Sequence, residues 1–488
     1  KIKHKGLALA VLAAAQFMVV LDATIVNVAL PAIMESLGFT SDAQLQWVVT
    51  AYALAFGGFL LLGGRLADLY GRRKIFLAGV ILFAVASLLA GVAQDPAQII
   101  VFRGLQGIGG ALLAPAALSL VLSIFKEGAE RNKALGLWSM VAAGGGAVGL
   151  VLGGVLTQYV DWRWIFFINI PIAALVVMAA LKYVPAAKPQ EKERVDWLGA
   201  ITITGGLVGL VYALAIAAED GWTNAGTLIS FAASVILLAV FIINELRIHH
   251  PLIRLGIFKR RNVTGGTLVQ LLMPAAMFGM FFYLSIYLQQ ILEYSPTHTG
   301  VANLPFTLTI IIVAGTLSRY VAKVNAKAVL VVAPLVVAAS LLFFARVPVE
   351  ANYWTDIFPG IVLMAAGMAS IFVTATMITT SGVSHKESGL VSGLLNTGQQ
   401  VGGAIGLAVL TVVSTAATKT EMANIQDSSQ IPSALVHGFH QGFEVAALFA
   451  VGASVVALLV LKSRKATKQD LAQEAETEAE ALPAIPGA

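Results

Sequence analysis

The sequence predicts an all-α integral membrane protein that crosses the bilayer about fourteen times, and three observations carry that expectation. Apolar residues make up 58% of the 488, charged residues only 12%, and the mean hydropathy is +0.85. A soluble chain of this length would carry a charged fraction nearer a quarter. Apolar stretches of about 20 residues recur along the chain, each long enough to cross ~30 Å of hydrocarbon as a helix. Strand-type alternation is absent, which argues against a membrane barrel.

Hydropathy places spans near 7–33, 45–64, 75–94, 97–124, 134–157, 164–184, 197–217 and 226–245. Six more follow near 263–291, 300–318, 328–345, 355–380, 389–415 and 441–461. The first of them lacks a small-residue cleavage site and runs too long for a signal peptide. With Gly 46 and Pro 16, many of these helices must pack closely or bend, which neighbouring helices in a bundle accommodate.

Basic residues give the spans a direction. Only Arg163, Arg346 and Lys419 fall in the loops after odd-numbered spans, and Arg103 lies inside a span, which leaves 27 of the 31 on the side of the termini. By the excess of Lys and Arg on that side, both termini are expected to be cytoplasmic. An odd span count would scramble this asymmetry. Charged, Pro-containing linkers at Lys182–Arg194 and Leu246–Arg261 then divide the chain. Expected are an N-terminal six-helix bundle over 1–185, linkers and two extra helices over 186–261, a C-terminal six-helix bundle over 262–464 and an acidic cytoplasmic tail over 465–488.

The two six-span parts echo one another. Gly64-Arg-Leu-Ala-Asp-Leu-Tyr-Gly-Arg-Arg-Lys74 follows the second span, and Gly315-Thr-Leu-Ser-Arg-Tyr-Val-Ala-Lys323 follows the tenth, 251 residues later. Gly145, Gly149, Gly153 and Gly154 line the fifth span; Gly398, Gly402, Gly403 and Gly406 line the thirteenth. Facing duplicated halves are an architecture of rocking transporters.

Several chemistries are excluded. There is no cysteine, hence no disulfide, thiolate nucleophile or cysteine metal site. Gly144, Gly146 and Gly149 fit a G-x-G-x-x-G spacing but lie inside a lipid-spanning helix with no preceding strand, so nucleotide binding there is not expected. No G-x-x-x-x-G-K-[ST] loop occurs, which argues against ATP as the energy source. The seven His residues fall in loops or at span ends, which fits satisfied surface histidines better than a metal site. No polar catalytic cluster or large soluble domain exists, so an enzyme is not expected.

Four segments resemble a known family. Gly64–Lys74 resembles the loop signature of the major facilitator superfamily, and Ile100-Val-Phe-Arg-Gly-Leu-Gln-Gly-Ile-Gly-Gly110 resembles the fourth-helix motif of its drug exporters. Leu21-Asp-Ala-Thr-Ile-Val-Asn-Val-Ala-Leu-Pro31 and Trp162-Arg-Trp-Ile-Phe-Phe-Ile-Asn-Ile-Pro171 resemble segments of its fourteen-helix drug:proton antiporter branch. The resemblance covers essentially the whole chain. It implies the major facilitator fold and a proton-coupled antiporter that exports drugs or other small amphipathic molecules by alternating access. The alternative is a dedicated exporter or importer of one metabolite on the same fold. No cofactor is expected, the proton gradient being the energy source. The implied partners are small-molecule substrates, protons and the lipid bilayer of a bacterial inner membrane, with no nucleic acid and a monomeric chain. The fifth helix departs from the antiporter motif at Leu150, where the motif has Pro; the small-residue spacing survives and the Pro-induced bend is in question.

The candidate site residues follow. Asp22 lies near the middle of an apolar span, where a carboxylate is costly and by default functional. Measured from the span ends, Asp22 and Arg103 lie ~14 Å and ~9 Å deep, close enough to face one another across the bundle. One reading is a static ion pair holding helices together; the other is proton coupling, since burial disfavours a carboxylate and a facing cation favours it, a balance that movement can tip. Asp68, with Gly64, Gly71, Arg72 and Arg73, is implied by the resemblance to form a conformational latch. Its carboxylate would meet the N-terminus of the thirteenth helix near Ser388, where the dipole favours an anion. The Arg/Lys cluster by itself reads equally as a topology signal. Gly145, Gly149, Gly153 and Gly154 are expected to pack the antiporter helix closely. Candidates for a substrate cavity are Tyr52, Gln106, Asn169, Met277, Phe281, Tyr287, Asn303, Met368, Asn396, Gln399 and Gln400, because Met and aromatic side chains adapt to varied ligands; the same residues at helical spacing also serve as plain packing. The second half has no mid-membrane acid, Glu293 and Glu444 lying near its outer surface, so monocations, neutral or zwitterionic compounds are expected over dications.

Overall fold

The computed structural model describes residues 5–125, 129–186, 196–248, 251–320, 325–380, 385–423, 425 and 427–462, and no strand occurs among them. The long helices are α1 (Lys5–Leu37), α2 (Trp47–Tyr70), α3 (Arg72–Gly91), α4 (Pro96–Ile124), α5 (Ala129–Tyr159) and α6 (Asn169–Tyr183). They continue as α7 (Trp197–Asp220), α8 (Ala225–Arg247), α9 (Arg261–Ile286) and α10 (Leu304–Tyr320). The last four are α11 (Ala326–Phe344), α12 (Phe358–Thr380), α13 (His385–Met422) and α14 (Ile431–Val460). Among the described residues thirteen segments are long and apolar enough to cross a membrane, and α5, with 31 residues, makes the fourteenth traversal. The start of α1 and the end of α14 therefore share one face, called the terminal face below.

Local chemistry sets the helix ends. Asp95 caps α4 by accepting from the Gln98 amide at 2.9 Å, with Pro96 in the first turn, where its missing N–H costs nothing. Gly71 alone joins α2 to α3; its φ of +99° is open to glycine and strained for a residue with a Cβ. Arg73 donates to the Leu181 carbonyl at 2.7 Å, satisfying an unpaired group in the last turn of α6.

Two spans differ from the hydropathy expectation. The tenth is interrupted: a short helix, Pro296–Ala302, precedes α10. Asn303 donates from Nδ2 to the Thr299 carbonyl at 2.9 Å, competing with the helical ladder, and Pro305 supplies no N–H. The last helix begins at Ile431, ten residues earlier than the hydropathy reading. Ser433, His437 and Gln441 dilute that stretch, yet Val436 and Phe439 are buried and hold it helical.

The glycine faces pack as two matching pairs. A Cβ on Gly145 would lie 2.9 Å from the Phe17 carbonyl, on Gly149 2.9 Å from that of Leu21, and on Gly153 2.7 Å from that of Ile25. Thus α5 rides on α1 along a four-residue ladder, the close approach that small residues permit in membranes. In the same way Gly402 and Gly406 of α13 abut Leu271 and Ala275 of α9. Helix α5 runs unbroken through Leu150, which is buried.

At the face opposite the termini the first six long helices close on the last six. Gly154 abuts Pro296 and Thr297, Gly300 abuts the Leu150 carbonyl, and Gln289 Nε2 donates to the Val28 carbonyl at 2.8 Å. Between α1 and the 289–296 segment that face keeps a cavity of about 580 Å³ lined by Met34, Glu35, Phe39, Gln289 and Tyr294 among others. Helix α2 meets α13 where Thr397 Oγ1 donates to the Gly57 carbonyl at 3.2 Å. The pair α7 and α8 packs on itself and against α2 and α13.

Candidate functional site

Asp22 and Arg103 form the most deeply buried ion pair among the described residues. Asp22 is 0% exposed and Arg103 1%, and Arg103 donates from a terminal guanidinium nitrogen to Asp22 Oδ2 at 2.6 Å. Two charges removed from water at this depth persist only if further hydrogen bonds saturate them.

They are saturated from five helices. Asp22 Oδ1 accepts from Gln106 Nε2 at 2.7 Å and from Asn169 Nδ2 at 2.9 Å. Arg103 also donates to Gln106 Oε1 at 2.7 Å and, through Nε, to the Val48 carbonyl at 2.9 Å. Its guanidinium carbon lies 4.4 Å from the centroid of the Tyr52 ring, a favourable seat for a cation in a dry interior. Ser87 Oγ accepts from Asn169 at 3.0 Å and from Gln106 at 3.3 Å, and donates to the Phe166 carbonyl at 2.8 Å. Helices α1, α2, α3, α4 and α6 each contribute one or more groups. The Tyr52 hydroxyl and Asn169 Oδ1 are buried without a partner, which leaves the network one donor and one acceptor in reserve.

The sequence supplies this geometry locally. Arg103 and Gln106 are one turn apart on α4, so both point at α1. Gly107 abuts the Tyr52 carbonyl and Gly110 abuts the Phe56 ring, so α4 lies close enough to α2 for Arg103 to reach Val48. On α1, the Leu21 carbonyl seats Gly149 of α5, which fixes the turn bearing Asp22.

The cavity candidates scatter. Gln106 and Asn169 belong to the polar cradle of Asp22, and Tyr52 lies under Arg103. Gln400 abuts Gly57 at the α2–α13 seam; Gln399 is half-buried and Asn396 exposed on the same helix. Met277 and Phe281 are half-buried on α9, with Phe281 and Phe306 rings 4.8 Å apart. Three candidates go instead to packing or backbone bonding within the last six helices. Met368 is 0% exposed in their core, the Tyr287 hydroxyl donates to the Pro348 carbonyl at 2.5 Å, and Asn303 bonds within its own turn.

Asp68 lies at the terminal face, its side chain 45% exposed, and accepts from Arg72 Nε at 3.4 Å. Arg72 also donates to the Ser119 carbonyl at 3.4 Å. The side chains near Ser388, the implied partner of Asp68, lie outside the described residues, as does the acidic tail. Ser87 and the Val48 carbonyl are members of the network that sequence reasoning missed. An isolated hydroxyl within the apolar run of α3 was the available signal for Ser87; a backbone carbonyl leaves none.

The family model described as the Major Facilitator Superfamily matches residues 12–407. The puromycin resistance protein of Streptomyces alboniger is 41% identical, the match covering 93% of this chain and 91% of that protein. The cephamycin export protein of Amycolatopsis lactamdurans is 35% identical, covering 86% and 87% respectively. Among solved structures, a bacterial homologue of the human lysosomal transporter Spinster superposes with a TM-score of 0.66 at 16% identity, covering 94% of this chain and 97% of that one. A family-model match over most of the chain, two relatives along nearly their full lengths and a shared fold agree: this chain belongs to the Major Facilitator Superfamily.

Proposed function

We propose that the chain exports drug-like or antibiotic molecules across a bacterial cytoplasmic membrane in exchange for protons, the first six and last six long helices rocking around a central path. The observation that carries the reading is the fully buried Asp22, held by Arg103, Gln106 and Asn169. A carboxyl group is a proton carrier, and mid-membrane placement without a transport role would be costly. The relatives support the cargo: one is named for puromycin resistance, another for cephamycin export.

In this reading a proton entering from outside neutralises Asp22. Arg103 then loses its strongest partner and keeps Gln106 Oε1, the Val48 carbonyl and the Tyr52 ring; the freed Asp22 can turn to the spare Asn169 Oδ1. Release of the proton inside restores the ion pair and resets the cycle. The positive excess on the terminal face orients the protein with both termini cytoplasmic, so the closed seam lies outside and the structure corresponds to a state shut to the exterior.

A second reading, transport of one dedicated compound, is favoured by relatives named for single antibiotics, puromycin, cephamycin and lincomycin. Everted vesicles carrying a pH-gradient dye separate the two. Dissipation by several unrelated compounds supports broad export, a single responder supports a dedicated exporter, and no response to any compound overturns proton antiport.

Asp68 tests the alternating step. Its carboxylate is proposed to latch the state opposite to the one described, at the N-terminus of α13. Asp68→Asn is expected to lower export several times more than it lowers membrane abundance, read by immunoblot beside uptake. Equal losses in both would reduce Asp68 to a folding determinant.

A further inference from the structure

The helix pair α7 and α8 carries a buried acidic pair, remote in sequence from Asp22 and at the ends of both helices that lie on the terminal face. Asp196 is 3% exposed and Glu245 5%. Asp196 caps α7 by accepting from the Gly199 amide at 2.8 Å, and Asn244 Nδ2 reaches its two oxygens at 2.9 and 2.8 Å. Glu245 Oε2 accepts from the Ile253 amide at 2.8 Å. Glu245 Oε1 is buried and has no partner. It faces Asp196 Oδ2, both oxygens lying within 2.8 Å of the point where a Cβ on Gly199 would sit.

Among the described residues no ion pair reaches either carboxyl from Arg247 on α8, from Arg254 or Lys259 on the connection to α9, or from Arg261 on α9, which instead donates to the Leu459 and Val460 carbonyls. Two buried carboxylates side by side repel, whereas one proton between them turns the contact into a hydrogen bond.

Glu245 also grips a segment that touches both halves. Leu252 packs against the cluster of Leu62 and Leu66 on α2. Ile253 and Ile257 pack with Phe241 of α8, Val263 of α9, and Val391 and Leu394 of α13. Residues 251–260, between α8 and α9, therefore form a strap laid over the α2–α13 seam, where the halves must move past one another, and the Glu245–Ile253 bond fastens its start.

We propose that Asp196 and Glu245 share one proton, and that this shared proton fastens the strap, so that the pH on the terminal face sets how firmly α8 holds the two halves together. Glu245 is a positioning residue; it acts on the seam through the Ile253 amide. When the proton leaves, the adjacent carboxylates separate, Glu245 withdraws from Ile253 and the strap loosens. The functional consequence, faster switching at alkaline cytoplasmic pH, rests on the export reading above; the strap itself does not.

The absence of cysteine allows a direct test on the purified full chain. Gly256 lies on the strap with nothing within 4 Å of a side chain built there, so Gly256→Cys carrying a nitroxide label reports strap mobility without transport. Mobility is expected to rise as pH goes from acid to mild alkali. Adding Glu245→Gln, whose amide can donate permanently to Asp196, should abolish that rise and leave the label immobile throughout. Asp196→Asn, which keeps the cap on α7, should do the same. Glu245→Ala should leave the label mobile at every pH. A label whose mobility ignores pH in the parent, or a pH response that survives both Glu245→Gln and Asp196→Asn, overturns the proposal. In vesicles, Glu245→Gln should keep the parent KM and lose the alkaline rise in turnover; an unchanged rise would detach the strap from transport even if the label responds.

Discussion

Asp22→Asn is expected to reduce proton-driven efflux to background while leaving a folded, membrane-inserted protein. Asn matches Asp in size and can still accept from Gln106 or Asn169, so the cradle of α1, α4 and α6 persists. What it cannot do is carry a proton or neutralise Arg103. The guanidinium then sits 1% exposed with Gln106, the Val48 carbonyl and the Tyr52 and Phe166 rings around it but no counter-charge. Breaking one side of a buried ion pair costs about 3–5 kcal/mol, so some loss of abundance is expected too. A double variant separates the two effects. Asp22→Asn with Arg103→Gln removes both charges and should recover abundance without recovering efflux. Counterflow, which exchanges labelled for unlabelled substrate without net proton movement, should survive in one or both variants. Gradient-driven accumulation by Asp22→Asn at the parent rate would remove Asp22 from coupling.

This expectation was legible in the sequence because a charge inside an apolar span is rare enough to stand out, and helix rise alone places Asp22 and Arg103 at similar depth. The same logic reached Gln106 and Asn169 only as members of a longer list, since an amide in a span is ambiguous between cavity and network. Distances decide it: both donate to one oxygen of Asp22. The lone hydroxyl of Ser87 was a weak signal because membrane helices tolerate hydroxyls that bond to their own backbone, as Thr50 and Thr411 do. The Asp196–Glu245 pair was hidden differently. Both residues fall at the ends of spans, where acids are ordinary, and only the antiparallel packing of α7 on α8 brings positions 49 apart in the chain together. The span count read well because hydropathy is additive along a helix; the break at Asn303 did not, because it depends on one side chain's bond to its own backbone.

A large packing effect is expected from Gly109→Leu. A Cβ at Gly109 would stand 2.6 Å from the amide nitrogen of Phe83 and 2.8 Å from its Cα, and across the same interface a Cβ at Gly79 would stand 2.6 Å from the Leu113 nitrogen. These are backbone atoms, so no rotamer change relieves the clash; α3 and α4 must separate. Overpacking a tight interior typically costs about 1–3 kcal/mol, and a backbone-limited contact belongs at or above the top of that range. Gly109→Leu is therefore expected to cut membrane abundance severely, with Gly109→Ala intermediate. Gly104→Leu on the same helix is the internal control: nothing lies within 4 Å of a Cβ there, so abundance should stay near the parent level, and equal losses at 104 and 109 would show that helix propensity, not the α3–α4 contact, governs. The displacement has a second consequence. Ser87 lies one turn along α3 from Phe83, so moving α3 away withdraws the hydroxyl shared by Gln106 and Asn169. Whatever Gly109→Ala protein reaches the membrane should accordingly lose more efflux per molecule than Gly104→Leu, because the interface that glycine makes possible also holds up the cradle of Asp22.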